Sequence, residues 1–108
     1  MYTFQKQPSE VLDYDVDLSS WFSDIEGDDI QSVAITVSAV DSVAEPVPAL
    51  VLGPGIHPEY VLMGAIPTRF KIWIGGGTNY ADYVITCLVS TEQDRQKEVE
   101  FKVKVRNV

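Results

Sequence analysis

The end of the chain alternates strictly between apolar and polar positions. Val99, Phe101, Val103 and Val105 are separated by Glu98, Glu100, Lys102, Lys104 and Arg106. A repeat of two places the two sets on opposite faces of an extended strand, whereas a helix repeats near 3.6. The spacing predicts a strand with one apolar face and one of mixed charge, suited to solvent or to a guarded edge. Upstream, Tyr83, Ile85, Cys87 and Val89 interleave with Val84, Thr86, Leu88 and Ser90. Both faces are largely apolar, which predicts a strand covered on both sides. The polar residues 91–96 form a link of hairpin length. Before them, Phe70, Ile72, Trp73 and Ile74 make a segment rich in β-branched and aromatic residues, ended by Gly75-Gly76-Gly77-Thr78-Asn79. Residues 69–108 thus read as three antiparallel strands linked by hairpins.

The first half is less regular but compatible. Leu12, Tyr14, Val16 and Leu18 alternate with Asp13, Asp15 and Asp17, giving a strand with a carboxylate face. Residues 19–24 suit a turn or a single helical turn. Residues 30–40 read as another strand, with Val33, Ile35, Val37 and Ala39 on one face. Pro46, Pro48, Pro54, Pro58 and Pro67 punctuate the region that follows, and short strands at 49–52 and 60–63 fit between them as edges. Short strands with turn signals and no crossover helices predict one all-β domain over residues 1–108. The expected fold is an immunoglobulin-like antiparallel β-sandwich of about seven strands, with a small β-barrel as the alternative. A Pro-rich loop-and-edge segment is expected at about residues 42–68.

Composition narrows the chemistry. A chain of 108 residues fits one domain and can bury about two-thirds of its unfolded surface. At 45% hydrophobic it is not compositionally disordered. No apolar run approaches the ~18 residues of a membrane span. The N-terminus lacks a secretion-signal pattern, so synthesis in a cytoplasm is expected. Cys87 is the single cysteine and His57 the single histidine. One chain therefore cannot build a disulfide framework, a thiolate cage or a multi-histidine metal site. No enzyme and no cofactor are expected.

The net charge of −8 is unevenly spread: residues 1–60 hold eleven Asp/Glu against one Lys, and residues 61–108 hold five against seven Lys/Arg. A net acidic surface argues against unspecific nucleic-acid binding, which relies on neutralising phosphates. The asymmetry reads first as solvated strand faces. The sharper reading is acidic and basic surfaces meeting between neighbouring copies.

The remaining candidates mostly have bland explanations. Asp13, Asp15 and Asp17 resemble the opening of a calcium loop, but Leu18 stands where that loop needs glycine. Asp24, Glu26, Asp28 and Asp29 could supply carboxylates to a loop cation site. Gly75-Gly76-Gly77-Thr78 has the glycines of a phosphate-binding loop without the lysine or the helix, so a tight or bulged hairpin is the better reading. His57 lies in a loop with no matched nucleophile. Cys87, mid-strand among apolar residues, reads as a buried, inert thiol. Trp21 and Trp73 are candidate carbohydrate platforms, but packing or interface roles suit Trp73 better.

Several of these segments resemble a family. Glu10-Val11-Leu12-Asp13-Tyr14-Asp15-Val16-Asp17-Leu18-Ser19 followed by Trp21 is similar to the start of small phage virion proteins described as fiber–tail adaptors. Asp28-Asp29-Ile30-Gln31-Ser32 resembles their turn into the next strand. Trp73-Ile74-Gly75-Gly76-Gly77-Thr78, Tyr83, Ile85-Thr86-Cys87-Leu88-Val89-Ser90-Thr91 and the charged last strand resemble their second half. The region at about 42–68 departs from the pattern. The resemblance implies a non-catalytic structural protein of a tailed phage or prophage, with an immunoglobulin-like fold and no catalytic residues to transfer.

As such it would be an adaptor, made in the bacterial host cytoplasm and carried in the virion. It would bind tail, fiber or neck proteins and further copies of itself, but neither nucleic acid nor membrane. A capsid-decoration (cement) protein and a carbohydrate-binding module are the alternatives. The expected contact residues lie in three loops: Trp21, Asp24, Glu26, Asp28 and Asp29; His57 and Tyr60; and Gly76, Thr78 and Tyr80. Loops on a rigid scaffold commonly carry recognition.

Overall fold

The alternating segments become strands, and their apolar positions meet in one core. The computed structural model describes residues 2–23, 27–40, 50–65 and 67–106. In chain order these form β1 (Tyr2–Lys6), β2 (Leu12–Asp17), α1 (Ser19–Phe22), β3 (Ile30–Ala39), β4 (Leu50–Leu52), β5 (Tyr60–Met63), β6 (Arg69–Gly76), β7 (Asp82–Thr91) and β8 (Gln96–Val105). One sheet has the order β1-β8-β7-β3; the other has β2-β6-β4, with β5 also on β6. The sheets do not close on each other, so the fold is a sandwich and not a barrel.

The core sits between the sheets. Phe70, Ile72 and Ile74 of β6 face Tyr83, Ile85, Cys87 and Val89 of β7 and Phe101, Val103 and Val105 of β8, nearly all without solvent exposure. Each such side chain contributes about 1.5–3 kcal/mol by leaving water. Cross-strand register brings these inward positions together: Leu12, Tyr14 and Val16 stand opposite Ile74, Ile72 and Phe70.

The topology is that of an immunoglobulin-like Greek key. β3, β7 and β8 take the places of strands C, F and G, while β2, β6 and the pair β4/β5 take those of B, E and D. β4 and β5 run in succession along the same edge of β6, pairing with residues 74–76 and 69–72 respectively. They are one strand position interrupted by residues 53–59. At the entry to β7, Tyr83 is fully buried and its hydroxyl accepts the Thr78 amide at 3.0 Å. That is the tyrosine corner of such sandwiches. Tyr83→Phe would leave a polar amide without this acceptor and is expected to cost about 1–2 kcal/mol in urea unfolding.

Three expectations need correction. β6 and β7 are not a hairpin, because they belong to different sheets. The glycines instead end β6 beside β4 and carry the chain across the core. β7 is central in its sheet but covered on one side only: its other face is half-buried at Val84 and Thr86, and Leu88 is 39% exposed. The third is β1, which the pattern did not predict and which pairs in parallel with β8, Tyr2 opposite Phe101 and Lys6 opposite Val105, where only antiparallel strands were expected. Lys6 hides this strand in the sequence by placing a charge at an inward position. It is buried, and its ammonium donates to the carbonyls of Gln7 at 2.7 Å and Gly76 at 2.6 Å, clipping the sheets together. Burial lowers its pKa, and Glu10 partly opposes the shift.

Candidate interaction surfaces

One end of the sandwich gathers the connection from β2 to β3 and the turn from β7 to β8. Asp17 starts the first of these: its carboxylate accepts the Ser19 amide at 2.9 Å and holds the single helical turn α1. Phe22 on that turn is buried. Asp28 then reaches across to the β7–β8 turn. Its side chain is wholly enclosed, and Oδ2 takes the Arg95 Nε–H at 2.8 Å. Oδ1 accepts the amides of Gln93 and Asp29, both at 3.0 Å. Burial pushes the Asp28 carboxyl up, but hydrogen bonds from Arg95, Thr91 and these amides outweigh it and hold the pKa below the ordinary value. The Arg95 guanidinium also lies 4.1 Å from the Trp21 ring centre, so one aspartate and one arginine lock two loops and orient an indole.

This geometry settles several sequence expectations. Asp28 points inward to Arg95 and is spent on that contact, so it is not an open ligand for a loop cation. Asp29 is half-buried, and its carbonyl accepts the Glu92 amide at 3.0 Å. Asp24 and Glu26 lie outside the described residues. Arg95 was not singled out from the sequence; the only available signal was a basic residue in an otherwise acidic and polar turn.

His57 and Tyr60 belong to a second place. Residues 53–59 fold back over the outward face of β6, where His57 stacks on Trp73 with ring centres 3.7 Å apart and planes 8° from parallel. The backbone holds this cover down, with the Gly53 amide on the Trp73 carbonyl and the Trp73 amide on the Glu59 carbonyl. One face of Trp73 is therefore taken by His57 and one face of Trp21 by Arg95, which leaves neither indole an open two-faced platform for sugar. Beside Trp73, the carboxylate face of β2 meets Lys71, whose ammonium is 2.8 Å from Asp13 and 3.8 Å from Asp15. The hydrogen bond from Lys71 lowers the Asp13 pKa, and the same bond raises that of Lys71. Tyr60 points the other way, and its hydroxyl accepts the Val33 amide at 3.3 Å.

Gly76, Thr78 and Tyr80 form a third place, at the opposite end of the sandwich from α1. Tyr80 is 77% exposed and holds a positive φ of 69°. Its amide donates to the Val105 carbonyl. The predicted contact residues thus do not form a single site. The structure brings together Trp21, Asp28 and Asp29 and separates them from the other two groups.

A rigid two-sheet scaffold with loops from different strand pairs locked at one end defines an immunoglobulin-like structural module of the kind that presents loops to partners. The chain belongs to the family described as podophage GP4 fiber-tail adaptor protein gp77, whose pattern matches residues 6–104. It is therefore a phage protein of a structural adaptor family. No curated protein matches the chain.

Proposed function

We propose that this protein is a non-catalytic adaptor of the virion that joins tail and fiber proteins, and that the end carrying Trp21 and the β7–β8 turn is its contact surface. The observation that carries this reading is the double lock of Asp28, which fixes two loops in one geometry before any partner arrives. Pre-organised loops reduce the ordering cost of association. Trp21 is half-exposed at the rim of that lock, and tryptophan and arginine are the side chains that most often dominate interface energetics. Family membership over residues 6–104 includes the whole of this end.

Reconstruction of the source particle by cryo-electron microscopy tests the location, with density expected between tail and fibers. Density on the capsid lattice would replace this reading with the decoration role, and absence from the particle would end both. In pull-down of tail and fiber proteins, Trp21→Ala is expected to weaken capture by about tenfold or more. Its far-ultraviolet circular dichroism should stay that of the wild type. Equal capture by a folded Trp21→Ala protein would move the contact surface elsewhere.

A further inference from the structure

The sheet β1-β8-β7-β3 ends on β3, whose outer edge is paired with no other strand among the described residues. The hydrogen-bond phase of that edge can be read from two contacts. The Val40 amide donates inward to the Asp82 carbonyl, whereas the Val33 amide points outward to the Tyr60 hydroxyl. In a strand the amide and carbonyl of one residue point the same way, and successive residues alternate. Ile35, Val37 and Ala39 therefore present their amides and carbonyls on the open edge, and Tyr60 closes that edge at Val33. The same three side chains are half-buried and packed against the core, so an apolar strip runs beneath the unpaired backbone.

We propose that this edge pairs antiparallel with the same edge of a second copy, centred on Val37, to form a two-fold dimer with one continuous eight-stranded sheet. The observations are self-complementary. Antiparallel pairing centred on Val37 sets Val37 against Val37 and Ile35 against Ala39, a large side chain against a small one, in both halves. It uses all three open residues of each copy and makes about six inter-chain hydrogen bonds. On the outward face Thr36 falls opposite Ser38, a hydroxyl pair suited to cross-strand contact. Charge favours the same occupant. The chain carries −8, yet β3 reads Ile-Gln-Ser-Val-Ala-Ile-Thr-Val-Ser-Ala and has no charged residue, so two copies meet here without like charges in the ladder. The strand also lacks the lysine or proline that guards open edges in monomers. This dimer does not depend on which tail or fiber proteins the chain contacts.

Sedimentation of the full chain over a range of concentrations should show a monomer–dimer equilibrium. Val37→Pro removes an edge donor from each copy and is expected to raise the dimer dissociation constant about thirtyfold. Because proline in a strand can disturb folding, a second measurement uses cysteines on the exposed face. Thr36→Cys and Ser38→Cys proteins are mixed in equal amounts under mild oxidation. The register puts position 36 opposite position 38, within disulfide reach, and offsets 36 from 36. The mixed disulfide should therefore exceed its statistical half of the dimers. Cys87 does not compete, being buried with its pKa pushed up to about 11. A protein that stays monomeric at every concentration overturns the proposal. So does a statistical mixture of disulfides, or a folded Val37→Pro protein that dimerises like the wild type.

Discussion

Asp28→Ala is expected to lower the melting temperature by about 10 °C and to abolish capture of tail partners through the α1 end. The substitution leaves the Gln93 and Asp29 amides without their acceptor and strands the Arg95 guanidinium, which is only 24% exposed. Breaking one partner of an enclosed pair costs more than the pair contributes, because the remaining charge keeps its desolvation penalty. Arg95 then has no reason to stay over Trp21, and the two loops lose their common anchor. Asp28→Asn separates charge from shape. Its carbonyl can still accept the two amides, but its amide group would face the Arg95 Nε–H, donor against donor.

The pH dependence has a fixed sign. The folded pKa of Asp28 is held below its unfolded value of about 3.9. Its stabilisation is fully present above that unfolded value and is lost as pH falls through the folded one. The melting-temperature gap between wild type and Asp28→Asn should be constant from pH 7 to about 5 and shrink below about pH 4. A gap that does not change with pH would mean that the carboxylate charge is not what locks the loops.

How much of this was legible in the sequence depends on whether the signal was local. Strand existence was legible where the core face stays apolar throughout: the alternation at Val99, Phe101, Val103 and Val105 translates directly into β8, whereas the inward Lys6 hid β1. Which sheet a strand joins was not legible. The glycines after Ile74 look like a hairpin turn, and only the pairing of β6 with β2, β4 and β5 shows a crossing. A signal for that crossing did exist: Ala81-Asp82-Tyr83 entering an alternating strand fits a tyrosine corner, and such a corner sits between the sheets. Apolar residues on both faces of β7 suggested double cover, yet Leu88 and Val84 face outward, as apolar atoms on real surfaces often do.

The charge asymmetry was plain in the sequence, but its meaning was not. Lys71 meets Asp13 and Asp15, and Arg95 meets Asp28. Among the described residues, two of the seven basic residues of the second half thus answer the acidic first half inside one chain, while Arg106 pairs with Asp82 in its own half. Such exposed pairs as Lys71–Asp13 contribute little to stability, whereas the enclosed Asp28 contact fixes geometry. Sequence alone gives both aspartates the same weight, because burial and not residue type separates them.

Gly77→Ala is expected to destabilise the fold by about 3 kcal/mol or more, measured by urea unfolding. Gly77 takes the chain from the end of β6 toward the tyrosine corner with a φ of 100°, where side chains are strained. A Cβ there would also stand 2.8 Å from Val105 Cγ2 and 3.2 Å from Leu50 Cδ1. Both neighbours are buried, one in each sheet, so neither can yield without opening the core. Gly55→Ala provides the control. Its φ is 64°, but nothing lies within 4 Å of the added Cβ, so only the backbone cost of about 1 kcal/mol remains. The two variants should differ by about 2 kcal/mol, the cost of the clash. If that clash is with Val105, trimming it to alanine makes room. The double variant Gly77→Ala/Val105→Ala should then lose less than the two single losses combined, as contacting residues are not additive. Strict additivity, or equal losses for Gly77→Ala and Gly55→Ala, would show that close packing at this crossing does not set the approach of the two sheets.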